Sequence, residues 1–175
     1  MTEVEFDRIV RSRVARIAVG ASTVRGRGNK GVVAAARNYL RSLDLRPFGT
    51  ASSEDFSKAL DSATDRLRRA LPTAAQHWGV ARKVLNIFLR DCLYTTYLNQ
   101  GLRKAERLFE LPLDSITAYE LKKADGRGTL PSWPGVKRVT RGLNTQFQEA
   151  AQRIAAAQAI ARVHLDAMWW SASRD

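Results

Sequence analysis

A chain of 175 residues carrying 29 lysines and arginines against 17 aspartates and glutamates has a formal charge of +12 and is long enough for one proper core but short for two. That excess favours a polyanionic partner, nucleic acid before a membrane surface, and disfavours a neutral or basic small molecule as what the surface as a whole attracts. The single cysteine, Cys92, excludes an internal disulfide and any multi-cysteine metal site, while His77 and His164 are too few and too far apart in sequence to suggest one.

The pattern is helical throughout. Residues 3–19 space Val4, Ile9, Val10, Val14, Ile17 and Ala18 at three and four with arginines between them, a basic amphipathic helix. A loop from Gly20 to Gly31 follows, then a helix from about Lys30 to Ser42 that Arg46-Pro-Phe-Gly49 breaks. Ser52, with Asp55 in the capping-box position, opens a third helix ending at Pro72. The fourth, about Ala75 to Leu98, is apolar on most sides and therefore central. A shorter helix starts at or just after Asp114, and Gly126 to Gly135 is a loop with two prolines. Residues 136–171 support one long helix or two in series, with Gly142 the weak point. Alternating β-branched runs and internal repeats are absent, so residues 1–175 are expected to form one compact all-α domain. No run of 18 apolar residues, signal-peptide core or lipidation pattern is present, and a cytoplasmic or nucleoid-associated protein is expected.

Three features can carry function, each with a plain alternative. Arg25-Gly-Arg-Gly-Asn-Lys-Gly31 sets Arg25, Arg27 and Lys30 among glycines before a helix, an arrangement able to cradle a nucleic-acid phosphate or to be only a solvated turn. It lacks the Lys-Ser/Thr ending of a nucleotide-triphosphate loop. On the fourth helix Lys83, Asn86 and Arg90 make one polar stripe on an apolar surface, lining a cleft or simply solvated. A lysine in such surroundings is pushed towards its neutral, nucleophilic form. Asp114 is a good helix N-cap, and a capping carboxylate is also rigidly oriented.

Trp78-Gly-Val-Ala-Arg-Lys-Val-Leu-Asn-Ile-Phe-Leu89 followed by Leu111-Pro-Leu-Asp-Ser-Ile-Thr-Ala-Tyr119 resembles the hairpin and Pro-Val-Asp segment of the helix-hairpin-helix DNA glycosylase superfamily. In Lys-to-Asp spacing, thirty-one residues, it is closest to the archaeal 8-oxoguanine glycosylase/AP lyase branch. The similarity covers roughly residues 70–123. It departs from the common pattern where a Gly-hydrophobic-Gly turn becomes Gly79-Val80-Ala81, which puts the family's backbone contact to a DNA phosphate in doubt, and the cluster cysteines of some members are missing.

The resemblance implies Lys83 as nucleophile on the sugar C1′ of an extruded nucleotide and Asp114 as the carboxylate that stabilises the developing positive charge and helps move protons. It implies no metal or organic cofactor and a double-stranded DNA partner. Arg25, Arg27, Lys30, Arg82 and Arg90 are then candidate phosphate contacts, with Arg8, Arg11 and Arg13 as further contributors. Trp133, His164, Met168, Trp169 and Trp170 are candidates to line the base pocket, or alternatively to pack the last helix onto the core. Two other readings stay open: a non-catalytic basic helical protein binding DNA or RNA, and a partner-binding helical module.

Overall fold

The computed structural model describes residues 1–20, 23–24, 31–126 and 128–172, the last two of these by backbone alone. Seven α-helices run in chain order: α1 (Glu3–Ala18), α2 (Val32–Arg41), α3 (Ser53–Ala70), α4 (Trp78–Tyr94), α5 (Ser115–Asp125), α6 (Arg141–Ala157) and α7 (Leu165–Ala172). Short 3-10 turns link them, and no strand occurs among the described residues. The all-α expectation holds.

The helix starts follow local chemistry. Thr2 and Glu5 cap α1 reciprocally, and the Ser52 hydroxyl accepts from the Asp55 N–H at 3.2 Å to open α3. The fourth helix ends at Tyr94 rather than Leu98, and residues 95–110 continue as turns, including a 3-10 stretch Arg103–Leu108.

The C-terminal region breaks, but not at Gly142, which sits inside the first turn of α6. Its helix stops at Ala157 because Ala159 adopts φ 58°, letting the Ile160 N–H reach back to the Ala155 carbonyl at 3.1 Å. That six-residue closure is the one glycine normally makes at a helix C-terminus.

Two apolar clusters organise the interior. Helices α1 to α4 bury Ala15, Leu40, Phe56, Leu60, Leu67, Leu85, Phe88 and Leu89 around α4, which contacts α1, α2 and α3. The second cluster joins Leu111 and Leu113, which precede α5, to Leu121, Phe147, Ala151 and Leu165 of α5, α6 and the start of α7, and Trp133 packs against both. α4 packs closely on residues 136–139 through its first turn. A Cβ on Gly79 would lie 2.2 Å from the Val136 carbonyl oxygen and 2.7 Å from the Val139 Cβ, so only glycine permits this approach. Residues 79–81 are helical and buried. The family's turn function is therefore not available to Gly79, whose role here is packing.

The stretch Phe109–Leu113 crosses from one cluster to the other without regular structure, and its buried polar groups are satisfied by side chains. Gln148 of α6 accepts from the Leu111 N–H at 3.0 Å and donates to the Leu111 carbonyl at 2.8 Å, doing the work of a neighbouring strand. Arg162 donates to the Leu108 and Phe109 carbonyls, both at 3.0 Å. Glu110 accepts from Arg82 Nε at 2.8 Å and Nη2 at 2.9 Å, from Asn86 at 3.0 Å and from Asn144 at 3.3 Å. Burial alone would push the Glu110 carboxyl up, but Arg82, Arg162 and Asn86 together hold it below the ordinary carboxylate range. Desolvation draws Arg162 down in turn, against the opposing pull of Glu110. This clamp fixes where the following Pro112-Leu-Asp114 lies relative to α4.

Candidate functional site

Asp114 ends the crossing stretch and caps α5. Its Oδ1 accepts from the N–H groups of Ile116 at 2.9 Å and Thr117 at 3.0 Å, while Thr117 Oγ1 accepts from the Asp114 N–H at 2.8 Å. The second oxygen, Oδ2, is turned the other way and lies 3.3 Å from Lys83 Nζ. One carboxylate thus caps α5 with one oxygen and pairs with Lys83 through the other. Lys83 is 13% exposed in its side chain and Asp114 31%, so the pair is shielded but reachable.

The pair lies on the wall of a cleft of about 680 Å³ at the seam between the two clusters. Ile17, Ala18 and Thr23 form one side, Lys83, Ile87, Arg90, Asp91 and Tyr94 of α4 the floor, and Pro112, Asp114, Ile116, Asp166, Ala167 and Trp170 the other side. Lys83, Ile87, Arg90 and Tyr94 follow at intervals of four, three and four, the repeat that keeps side chains on one helix face. Along this face the helix axis rises about 10 Å from Lys83 to Arg90 and about 16 Å to Tyr94. An elongated slot results, with the lysine–aspartate pair at one end.

The expected polar stripe divides, with Lys83 and Arg90 on the cleft and Asn86 turned away from it, and each member has its own carboxylate. Lys83 meets Asp114, Asn86 turns inward to Glu110, and Arg90 donates to Asp91 Oδ1 through Nε at 2.9 Å and Nη2 at 2.8 Å. The Arg90 Nη1 also pairs with Asp166 of α7. Burial pushes the Asp91 carboxyl up against the opposing pull of Arg90. At the far end the Tyr94 hydroxyl is 2.9 Å from His164 Nδ1, and His164 Nε2 is 2.7 Å from Glu106 Oε1. The two rings stack with centroids 5.6 Å apart, and desolvation raises the Tyr94 hydroxyl above its ordinary value.

The other expected residues divide. Trp170 lines the cleft and is 51% exposed. His164 stands behind Tyr94 rather than on the cleft wall. Trp169 packs against the second cluster, Trp133 is edge-on to Phe147 at 5.5 Å, and Met168 is exposed outside the cleft. Four of the five base-pocket candidates, Trp133, His164, Met168 and Trp169, are thereby corrected: one helix turn can aim only part of an aromatic run at any one surface.

Among the basic residues, Arg82 is a correction. It is 6% exposed, and its guanidinium is taken up by Glu110, by Asp61 at 2.9 Å and by Thr64 at 2.9 Å, which leaves it unsuited to a phosphate. Arg90 faces the cleft but is already ion-paired. Arg25, Arg27 and Lys30 fall outside the described residues. On α1, Arg8, Arg13 and Arg16 are exposed, whereas Arg11 is partly buried and pairs with Asp7 and the Leu43 carbonyl. Tyr94, Asp91 and Asp166 were missed by sequence reasoning; the only signal was their helical register with Lys83 or their nearness to Trp170.

Comparison with family models, with curated proteins and with solved structures finds no match to this chain. No helix among the described residues is long and apolar enough to cross a membrane.

Proposed function

We propose that this protein is a DNA glycosylase with associated AP lyase chemistry, acting on a nucleotide rotated out of the duplex. The observation that carries the reading is the meeting of Lys83 Nζ and Asp114 Oδ2, 3.3 Å apart, from separate segments on the wall of a cleft walled by Tyr94 and Trp170. A surface lysine paired for solubility alone has no need of a concave, aromatic-walled setting. The charge of +12 supports a phosphate-bearing partner.

Lys83 is held as half of an ion pair and must give up a proton, for which Asp114 is the adjacent acceptor. The amine nitrogen then bonds to the sugar C1′ as the C1′–N glycosidic bond breaks, and that electron pair leaves with the base, which is protonated. Asp114 stabilises the positive charge that grows on the sugar and returns the proton. Opening of the sugar ring gives an iminium linkage to Lys83. Loss of the C2′ proton with expulsion of the 3′ phosphate then nicks the strand.

Borohydride trapping on a duplex with a single abasic site tests this directly. A covalent adduct is expected for the wild type, lost in Lys83→Ala and strongly reduced in Asp114→Asn, in which the remaining carbonyl oxygen still caps α5. Salt-sensitive DNA binding without an adduct, indifferent to both substitutions, would leave a non-catalytic binding protein.

A further inference from the structure

The protein carries a large positive charge, yet the described residues lining its cleft include three carboxylates, Asp91, Asp114 and Asp166, against two cations, Lys83 and Arg90. A slot meant for phosphate would have the opposite balance. Among the described residues, the lining thus suits a ligand that donates hydrogen bonds better than a phosphate.

The far half of the slot is built from acceptors. Arg90 uses Nε and Nη2 on Asp91 Oδ1, and Nη1 on Asp166 Oδ2. Asp91 Oδ2 and Asp166 Oδ1 accept no hydrogen bond among the described residues, although the two side chains are only 18% and 15% exposed. Tyr94 adds a third acceptor. With a single proton on the His164 ring, at Nε2 facing the Glu106 carboxylate, Nδ1 accepts from the Tyr94 O–H. The phenolic oxygen then offers the slot only its lone pairs. A base whose C1′ is held at Lys83 points along the cleft towards Arg90, Asp91 and Asp166, which line the same wall.

We infer that the Asp91, Asp166 and Tyr94 end of the cleft reads the outer edge of an extruded base through acceptors, and so takes rings bearing an exocyclic amino group in preference to analogues lacking it. The inference rests on the base-excision reading of Lys83 and Asp114 and names the substrate chemistry of the same site. Arg90 is a positioning residue here, holding one oxygen of each carboxylate so that the other faces the ligand.

Deoxyguanosine and deoxyinosine differ only by one amino group and are the probes. Ligand-observed NMR on the full chain is expected to show deoxyguanosine bound on the order of tenfold more tightly, the discrimination of a good edge contact. Asp166→Asn and Asp91→Asn replace an acceptor with a donor and are expected to abolish the preference. Tyr94→Phe, which keeps the ring, is expected to reduce it. Circular dichroism on each variant separates loss of the preference from loss of the fold. Equal affinity for the two nucleosides, no binding of either at millimolar concentration, or a preference unchanged in folded variants overturns the inference.

The trapping experiment separates this failure from that of the catalytic reading, because an abasic site has no base. Trapping without nucleoside discrimination rejects the acceptor array and leaves Lys83 and Asp114 standing. Discrimination without trapping keeps the array and rejects the chemistry.

Discussion

Removing the Glu110 carboxylate tests whether the clamp beneath the crossing stretch holds the two halves of the molecule together. Glu110 faces Arg82, whose side chain is 7% exposed, and it also accepts from Asn86 and Asn144. Glu110→Ala leaves a buried guanidinium with only Asp61, itself 42% exposed, as a charged partner. Breaking a buried pair from one side costs about 3–5 kcal/mol. Asp61 keeps the expected loss near the lower end, about 3 kcal/mol, or a fall in Tm on the order of 10 °C for a chain of this length. Urea unfolding followed by circular dichroism measures it, alongside the double variant Arg82→Met/Glu110→Leu, which replaces both charges by apolar groups. The double variant is expected to lose less than Glu110→Ala, because no charge is left stranded. The folded-state pKa of Glu110 lies below its ordinary 4.5, so its contribution is fully present above that pH and is lost as pH falls through the lower folded value. Glu110→Gln should flatten that acid limb. A loss below about 1 kcal/mol in Glu110→Ala, the value of an exposed pair, would refute the clamp.

Gly79→Ala places a methyl 2.2 Å from a carbonyl oxygen, and a loss of at least about 1–3 kcal/mol in thermal unfolding is expected; unchanged stability would mean that the contact between α4 and residues 136–139 yields freely. Asp114→Ala should lose about 1 kcal/mol of stability with the α5 cap while Asp114→Asn stays near wild type, so equal stability of the two variants would refute the division of labour between its oxygens. Cys92 is buried and its thiol is raised far above the ordinary value, chiefly by desolvation. Alkylation by iodoacetamide at pH 8 should therefore be much slower than for a model thiol until urea is added, and rapid labelling of the folded chain would contradict that burial.

The helices were legible because apolar spacing, capping residues and prolines act within a few residues of themselves. Ser52 and Asp114 illustrate this, and the central place of α4 followed from its composition alone. The break before α7 was not legible, since Ala159 takes the left-handed conformation without the glycine that would have advertised it. Arg82 and Lys83 show a second kind of blindness. Adjacent residues on a helix point about 100° apart, so one enters the Glu110 clamp and the other the cleft, although in sequence both are mid-helix cations.

What the sequence alone determined was local and compositional: an all-α chain, strongly basic, with Lys83 on its most apolar helix and Asp114 capping the next. Only the tertiary structure decided that these two meet, because 31 residues separate them and their approach depends on Glu110 and Gln148 fastening an irregular stretch to α4 and α6. It also decided which side chains complete the cleft. Tyr94, Asp91 and Asp166 acquire their meaning from Arg90, His164 and Glu106, and no periodicity encodes a contact made across a seam between two packed clusters.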